Sequence, residues 1–271
     1  MVRAVLSAAC LTLGCAGGLS TSQPAHVPKK GHSQAEMGMD VSFSTGTMRK
    51  VLRAARSLEQ AAQTRTLSDA EKRAILTGAT ELAINPPAII PHLGFATSLF
   101  DRWELGLRLA TSGWRFGVRH QLLLQEQSGV DLSVGLGGGL ALFTPPVEDA
   151  LETVTITDFA RWNLDAPVVV GQHGSWYRWW AGPRFFYSHF SQELHLELPN
   201  DEAVSAAIGG DAFYVGGLAG AAFGYRSVFI GPEIVVVGLV GSAHMEALGS
   251  RTDVNFDGLV IYPAFAVMGE F

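Results

Sequence analysis

Histidine and serine are the residue types in this chain that could support hydrolytic chemistry. Beyond residue 90 the histidines are His92, His120, His173, His189, His195 and His244. They are scattered and show no metal-ligand spacing such as HExxH. His189 has Ser188 and Ser191 as neighbours, and His120 is a second candidate base. A nucleophilic serine also needs an orienting group, and the sequence singles out neither nucleophile nor acid. We therefore predict no catalytic residue, no metal site and no enzyme activity.

Two binding functions are also disfavoured by composition and motif. The glycine run Gly137–Leu140 lacks the following helix and the Lys-Ser/Thr pair that a phosphate-binding loop requires. The formal net charge of −6 provides no basic surface for nucleic acid. We predict no cofactor and no nucleic-acid partner.

Charged residues placed between apolar ones form the most informative pattern. In WELGLRLA the residues Glu104 and Arg108 alternate with Trp103, Leu105 and Leu107, and this period of two predicts a strand with one apolar and one polar face. The same reasoning selects a polar set consisting of Glu104, Arg108, Arg115, Arg119, Asp165 and Glu233. Because unpaired charges in a narrow lumen would be costly, we predict that this set is a salt-bridged network inside a barrel.

One detail of that network depends on the turn between two strands. A tight turn at Ser112-Gly113 is expected to place Arg119 opposite Gly106, between Glu104 and Arg108. An alternative is that the charged side chains line a selective pore.

The strands that would carry these residues are long and numerous. Alternation recurs from Met39 to the C-terminus in about ten segments, and an even number of strands is typical of a closed single-chain membrane barrel. Hydrophobic residues make up 48% of the 271 residues and charged residues only 16%, yet no apolar run is long enough for a spanning helix. Short connections alternate with longer ones such as Thr144–Asp158, Pro199–Asp211 and Ala247–Asp253. We predict an all-β fold, a transmembrane antiparallel β-barrel of about ten strands.

A change of period near the N-terminus predicts a short α-helical insertion over residues 47–84. Val51, Ala55 and Leu58 have helical spacing, and Ser68 to Glu71 has the spacing of a capping box that opens a second helix. These amphipathic helices could cap one mouth of the barrel, plug its lumen or bind a partner.

The first residues predict export. Arg3 precedes the short apolar stretch Ala4 to Leu13, which is typical of a signal peptide over residues 1–14. The sequence up to Cys15 resembles a bacterial lipobox, which implies lipidation of Cys15, although Thr12 stands where Leu is usual. An ordinary cleaved signal is the alternative. Residues 15–37 are predicted to be a flexible leader and residues 38–271 the barrel domain.

The last strand carries a further resemblance. Ile261, Phe265, Val267 and the terminal Phe271 share one face, and this end of the chain resembles the C-terminal strand of bacterial outer-membrane β-barrel proteins. The resemblance covers about residues 38–271, with Pro263 and Gly269 departing from the usual pattern. It implies a Gram-negative outer-membrane location, contact with outer-membrane lipid, and recognition of Phe271 by the barrel-assembly machinery.

Three functions follow as hypotheses. We favour a non-enzymatic outer-membrane barrel that is a narrow, porin-like channel or a structural membrane component. The first alternative is an outer-membrane lipid-modifying enzyme. The second is a soluble lipocalin-like binder of an apolar ligand, which would require the Leu and Val faces to point inward and the Arg and Glu faces outward.

Overall fold

The computed structural model describes residues 19–44, 68–84, 88–111, 113–141, 154–197, 203–247 and 249–271. The expected signal peptide, Cys15 and the first of the two expected helices lie outside the described residues. The strands are β1 Ser33–Ser44, β2 Ala88–Phe100, β3 Trp103–Ala110, β4 Gly113–Leu123, β5 Asp131–Ala141, β6 Val154–His173, β7 Tyr177–Glu197, β8 Ala203–Tyr225, β9 Val228–Ala247 and β10 Ser250–Glu270. The helices are α1 Asp69–Ile84 and the single turn α2 Gln125–Ser128.

The ten strands close into an antiparallel barrel in which each strand pairs with its neighbours in sequence and β1 pairs with β10. At the closure Met39 lies opposite Phe265, and the backbone of Phe271 exchanges hydrogen bonds with Ser33 at 2.7 and 3.0 Å. The predicted fold and strand number are confirmed. Within the described residues, no α-helix has the length and hydropathy needed to cross a membrane.

The two ends of the barrel differ. At one end, here named the short-turn end, Asp101-Arg102 joins β2 to β3 and Arg226-Ser227 joins β8 to β9, with Arg102 and Arg226 at positive φ. The start of β1 and the end of β10 lie there too. At the opposite end β6 to β10 extend further than β1 to β5. The last residue of β5, Ala141, pairs with Arg161, whereas β6 begins before that point, at Val154.

These extensions correct the expected loop pattern. The stretches Pro199–Asp211 and Ala247–Asp253 were expected to be long polar loops, but β8 begins at Ala203 and β10 at Ser250. The described polar residues Ser205, Asp211, Arg251 and Asp253 lie on the outward face of paired strands, which alternation alone did not separate from a loop.

Apolar side chains cover the outside of the barrel in a continuous belt. Every strand contributes at least one large exposed apolar residue: Met39, Phe95, Leu107, Phe116, Leu136, Leu164, Phe185, Val215, Val236 and Phe265. Aromatic contacts border the belt, with Trp176 near Phe223 at the short-turn end and Trp162 near Tyr187 towards the other end. This arrangement is the reverse of the one that the lipocalin-like alternative requires.

Helix α1 belongs to the buried apolar cluster of the barrel. Ile75 and Leu76 have no exposed surface and share this cluster with Phe190 and Leu194, inward residues of β7 in its extended part. The Arg161 guanidinium donates to the Ile84 carbonyl at 2.9 Å, so that β6 satisfies a carbonyl at the C-terminal end of the helix.

The start of α1 is the capping box that the sequence predicts. The Ser68 backbone N–H donates to the Glu71 carboxylate at 2.8 Å, and the Glu71 N–H donates back to the Ser68 hydroxyl at 3.3 Å. The hydrogen bonds from Ser68 lower the pKa of Glu71 below its usual range.

The N-terminal boundary differs from the expected flexible leader. β1 begins at Ser33 rather than near residue 38, and Leu19 and Ala25 are each only 1% exposed. The segment Leu19–Val27, here called the inner segment, lies inside the barrel, because side chains of the wall bind its backbone.

Candidate functional site

Arg119 holds the inner segment to the wall and is itself held by Glu104. The guanidinium lies 2.9 Å from the Glu104 carboxylate on the neighbouring strand β3. It also donates to the carbonyl oxygens of Pro24 and His26, the latter at 3.1 Å. Both side chains are nearly completely buried, so that each charge is compensated within the lumen.

The register between β3 and β4 corrects one expectation. Arg119 lies directly opposite Glu104, and Gly106 lies opposite Gly117. The expected position of Arg119 opposite Gly106 is therefore wrong by two residues, because the turn lies one residue earlier than assumed: Ala110 pairs with Gly113, and residues 111 and 112 join the two strands.

Asp165 pairs with two arginines on different strands. Arg184 of β7 lies 2.7 Å from its carboxylate, and Arg115 of β4 makes a second ion pair with the same oxygen. Gly137 faces this group, and a Cβ there would lie about 3.0 Å from Asp165 and 3.1 Å from Arg115. The small residue thus leaves space for the three charged side chains.

Arg108 joins the inner segment to two carboxylates of β1. Its guanidinium lies 3.4 Å from Glu36 and 3.5 Å from Asp40. It also donates to the carbonyl oxygen of Ser20 and, at 2.7 Å, to the Ser20 hydroxyl. That hydroxyl donates in turn to Asp40 at 2.5 Å.

Glu233 receives more hydrogen bonds from the inner segment than any other wall residue described. Its carboxylate accepts from the Thr21 backbone at 2.6 Å, the Thr21 hydroxyl at 2.9 Å and the Ser22 backbone at 3.0 Å. The Trp180 indole donates a fourth hydrogen bond at 2.7 Å. Glu233 is only 3% exposed, so the inner segment supplies most of what stabilises this buried carboxylate.

The inner segment enters the lumen at the short-turn end. His26 Nε2 lies 3.2 Å from the Glu270 carboxylate, which also binds Arg178 at 2.6 Å. The Val27 N–H donates to the Gln121 side chain at 2.9 Å, and Gln121 donates to Asp131 at 2.7 Å.

Two small cavities remain beside the charged residues of the lumen. A cavity of about 60 Å³ lies beside Thr21, Gln23 and Arg108, and another of about 40 Å³ lies between Asp40, His92 and Arg161. Cavities of this size hold a few water molecules.

All six residues of the polar set chosen from the sequence have their side chains in this lumen. Glu104 and Arg119 are brought together directly, Arg115 meets Asp165, and Glu233 binds the inner segment. Sequence reasoning missed the partners that complete the network: the inner segment, Glu36, Asp40 and Glu270. Alternation with Met37 and Met39 was a signal for Glu36 and Asp40, whereas nothing in its composition distinguished the inner segment from a tether.

The wall of the barrel separates one candidate nucleophile, Ser188, from both candidate histidines. Ser188 is buried on the inward face, where its hydroxyl accepts from Arg161 at 2.7 Å. His120 stacks on Trp103 on the outward face at a centroid distance of 4.3 Å. His189 also points outward and lies 3.0 Å from Asp211, an acid that the sequence did not single out. Among the described residues, no hydrogen bond joins either histidine to a serine hydroxyl, and no group of three or more metal-binding side chains converges.

The chain was compared with known protein families, curated proteins and solved structures. No protein-family model matches the chain, and no curated protein matches its sequence. Ail, the attachment invasion locus protein of Yersinia pestis, is 9% identical, with 90% of this chain and 100% of Ail covered and a TM-score of 0.31. Neisserial surface protein A is 9% identical, with 89% and 96% covered and a TM-score of 0.32. An outer membrane channel from Pseudomonas putida F1 is 9% identical, with 93% and 99% covered and a TM-score of 0.32. The structures to which this chain is similar are bacterial outer-membrane β-barrel proteins, and the likeness is one of fold.

Proposed function

We propose that this protein is a non-enzymatic β-barrel of the bacterial outer membrane and that it is a narrow channel, closed in the state described. The single observation that carries the proposal is that the polar lumen is filled by a chain segment that is not part of the barrel wall. Without the inner segment the wall would enclose a space lined by Glu233, Arg108 and Arg119.

The apolar belt supports the membrane location. Large apolar side chains are exposed on every strand, for example Leu136 at 61% and Val215 at 56%. In water such a belt would exceed the exposed apolar patches that soluble monomers tolerate. In a bilayer it is the lipid-facing surface of a barrel, bordered by aromatic residues at its two edges.

The lumen composition supports a channel rather than a purely structural barrel. A core that serves stability alone is filled most effectively by apolar side chains, as the extended part of this barrel is around Phe190 and Leu194. The other part of the lumen instead carries Glu104 and Asp165 with their arginine partners, and the buried carboxylate of Glu233. Because a ten-stranded barrel is narrow, we expect it to pass small polar solutes.

The membrane location is tested by fractionation together with heat-modifiable migration in detergent gels. We expect the protein in the outer-membrane fraction, with the unboiled form migrating faster than the boiled form. A protein that is soluble without detergent and shows no migration shift would overturn the proposal. The channel is tested by conductance in planar bilayers, for which the closed lumen predicts low activity of the intact chain.

A second function, hydrolysis of lipid esters at the outer face, is favoured by one observation. His189 and Asp211 form an outward-facing pair at 3.0 Å, and Ser191 is the next outward residue along β7. Ester hydrolysis by the wild type that disappears in Ser191→Ala, with unchanged heat-modifiable migration, would support this function. Equal activity of both proteins would exclude it.

A further inference from the structure

We propose that the inner segment Leu19–Val27 is a removable plug and that the lumen is a binding site for a short peptide, occupied by this part of the chain itself. The proposal rests on the channel function above, and it identifies what closes the channel.

The way in which the inner segment is held suggests that it can leave without breaking the barrel. Among the described residues, no backbone–backbone hydrogen bond joins positions 19–28 to the wall, whereas Gly31 N–H already donates to the Ser98 carbonyl at 2.8 Å. Its hydrogen bonds to the wall are instead made with side chains such as Glu233, Arg108 and Gln121, while Leu19 and Ala25 add apolar contacts. Departure of the segment would leave the hydrogen-bond ladder between all ten strands intact.

The wall side chains bind both the hydrogen-bond donors and the hydrogen-bond acceptors of a peptide backbone. Glu233 accepts from two consecutive backbone N–H groups, those of Thr21 and Ser22. Arg108 and Arg119 donate to backbone carbonyl oxygens on either side of that point, at Ser20 and at Pro24. Because the binding groups are charged, water can replace the segment at each of them more cheaply than at an apolar contact.

The connection to β1 defines the route of exit. Lys29 and Lys30 are exposed, and Gly31 has a φ of +86°, a left-handed conformation that lets the chain reverse from the lumen into β1. Movement about this point would carry the inner segment out through the short-turn end while Ser33 stays paired with Thr97.

The first experiment compares conductance of the full chain with that of a variant from which residues 19–27 are deleted, after heat-modifiable migration has shown that both are folded. We expect the deletion to raise conductance. The synthetic peptide LSTSQPAHV, added in solution, is expected to close the deletion variant again, whereas a scrambled peptide of the same composition is not.

A second experiment does not depend on the deletion variant folding. In a Cys10→Ser/Cys15→Ser background, Ser22→Cys introduces a thiol at a position that is 3% exposed and whose hydroxyl has no hydrogen-bond partner among the described residues. We expect Glu233→Gln to speed its reaction with a charged thiol reagent about tenfold, since a hydrogen bond to a carboxylate is stronger than one to an amide. Val236→Ala, an outward change on the same strand, is the matched control and is expected to leave the rate unchanged.

The outcomes distinguish failure of the plug proposal from failure of the channel proposal. If the intact chain conducts as strongly as the deletion variant, the plug is disproved and the channel survives. If the folded deletion variant does not conduct, the channel fails and the gating proposal fails with it. If the Ser22→Cys thiol reacts at the same slow rate with and without Glu233→Gln, the hydrogen bonds to Glu233 do not keep the inner segment in the lumen.

Discussion

At the scale of single residues, the lumen is organised by charges that each serve two partners. Arg119 binds Glu104 on the wall and two carbonyl oxygens of the inner segment. Glu233 binds the inner segment and Trp180. Since these groups are nearly completely buried, removal of one partner leaves a charge without compensation.

We predict that Arg119→Ala lowers the free energy of unfolding by about 3–5 kcal/mol, the range measured when one partner of a buried ion pair is removed. The double variant Arg119→Met/Glu104→Met removes both charges and is expected to regain much of the loss. Denaturant unfolding in detergent measures both effects.

Arg102, exposed in the turn between β2 and β3, provides the control. Arg102→Ala is expected to change the free energy of unfolding by less than about 0.5 kcal/mol. An Arg119→Ala variant as stable as Arg102→Ala would show that the ion pair between Arg119 and Glu104 does not stabilise the barrel.

Alternation predicted which residues face inward, but not which of them meet. The inward positions of Glu104 and Arg108 follow from the period of two, whereas the pairing of Glu104 with Arg119 depends on the position of one turn. The bonds from Glu233 to Thr21 and Ser22 join residues 212 and 211 positions apart, and no local pattern reports such a contact.

At the scale of elements, two parts that do not belong to the wall fill the two halves of the lumen. The inner segment occupies the charged half near the short-turn end, and α1 packs in the apolar half that β6 to β10 form where they extend. Helix α1 presents apolar side chains to its half of the lumen, and the inner segment presents backbone N–H and carbonyl groups to the charged half.

We predict that Leu76→Ala destabilises the packing of α1 by about 2–5 kcal/mol, because Leu76 is completely buried and its truncation leaves a cavity. Limited proteolysis within residues 69–84 should become faster. The neighbouring, half-buried Thr77 gives the control Thr77→Ala, for which we expect little change. Equal cleavage of both variants would contradict the assigned packing of α1.

A further prediction concerns Cys15, whose lipidation remains a prediction. Four residues reach at most about 14 Å, and Leu19 is buried inside the barrel beside the Ser20 contacts with Arg108 and Asp40. A lipid on Cys15 that is held in the bilayer is therefore expected to pull on this end of the inner segment and to compete with its burial.

Metabolic labelling with a radioactive fatty acid, combined with the Ser22→Cys reactivity measurement in a Cys10→Ser background, tests this competition. The acylated form should react quickly at Ser22→Cys, and the Cys15→Ser form slowly. An acylated protein in which the Ser22→Cys thiol stays protected would refute it.

The strands of the barrel wall were predicted from the sequence more accurately than the inner segment that lies inside it. Ten alternating segments identified ten strands, because the period of two is imposed locally on every residue of a strand. The inner segment was mistaken for a tether, since the wall side chains that hold it are distant in sequence. The ends of β8 and β10 were missed because their outward residues there are polar, as residues of a loop usually are.

At the scale of the whole molecule, the protein has its apolar surface outside and its charged groups inside at the short-turn half. The belt runs through all ten strands, and the outward residues become polar on the extensions, for example at Asp211 and Glu246. This distribution fits a bilayer around the belt and water beyond it.

Whether the belt faces lipid is tested most directly by a set of single-cysteine variants along β9. They are made in a Cys10→Ser/Cys15→Ser background and reconstituted in lipid vesicles. Val236→Cys and Val240→Cys replace exposed outward residues, and Val235→Cys and Val237→Cys replace buried inward ones. We expect a lipid-soluble thiol reagent to modify the outward pair and a charged reagent to modify neither pair. Rapid modification of Val236→Cys and Val240→Cys by the charged reagent would place the belt in water and contradict the membrane barrel.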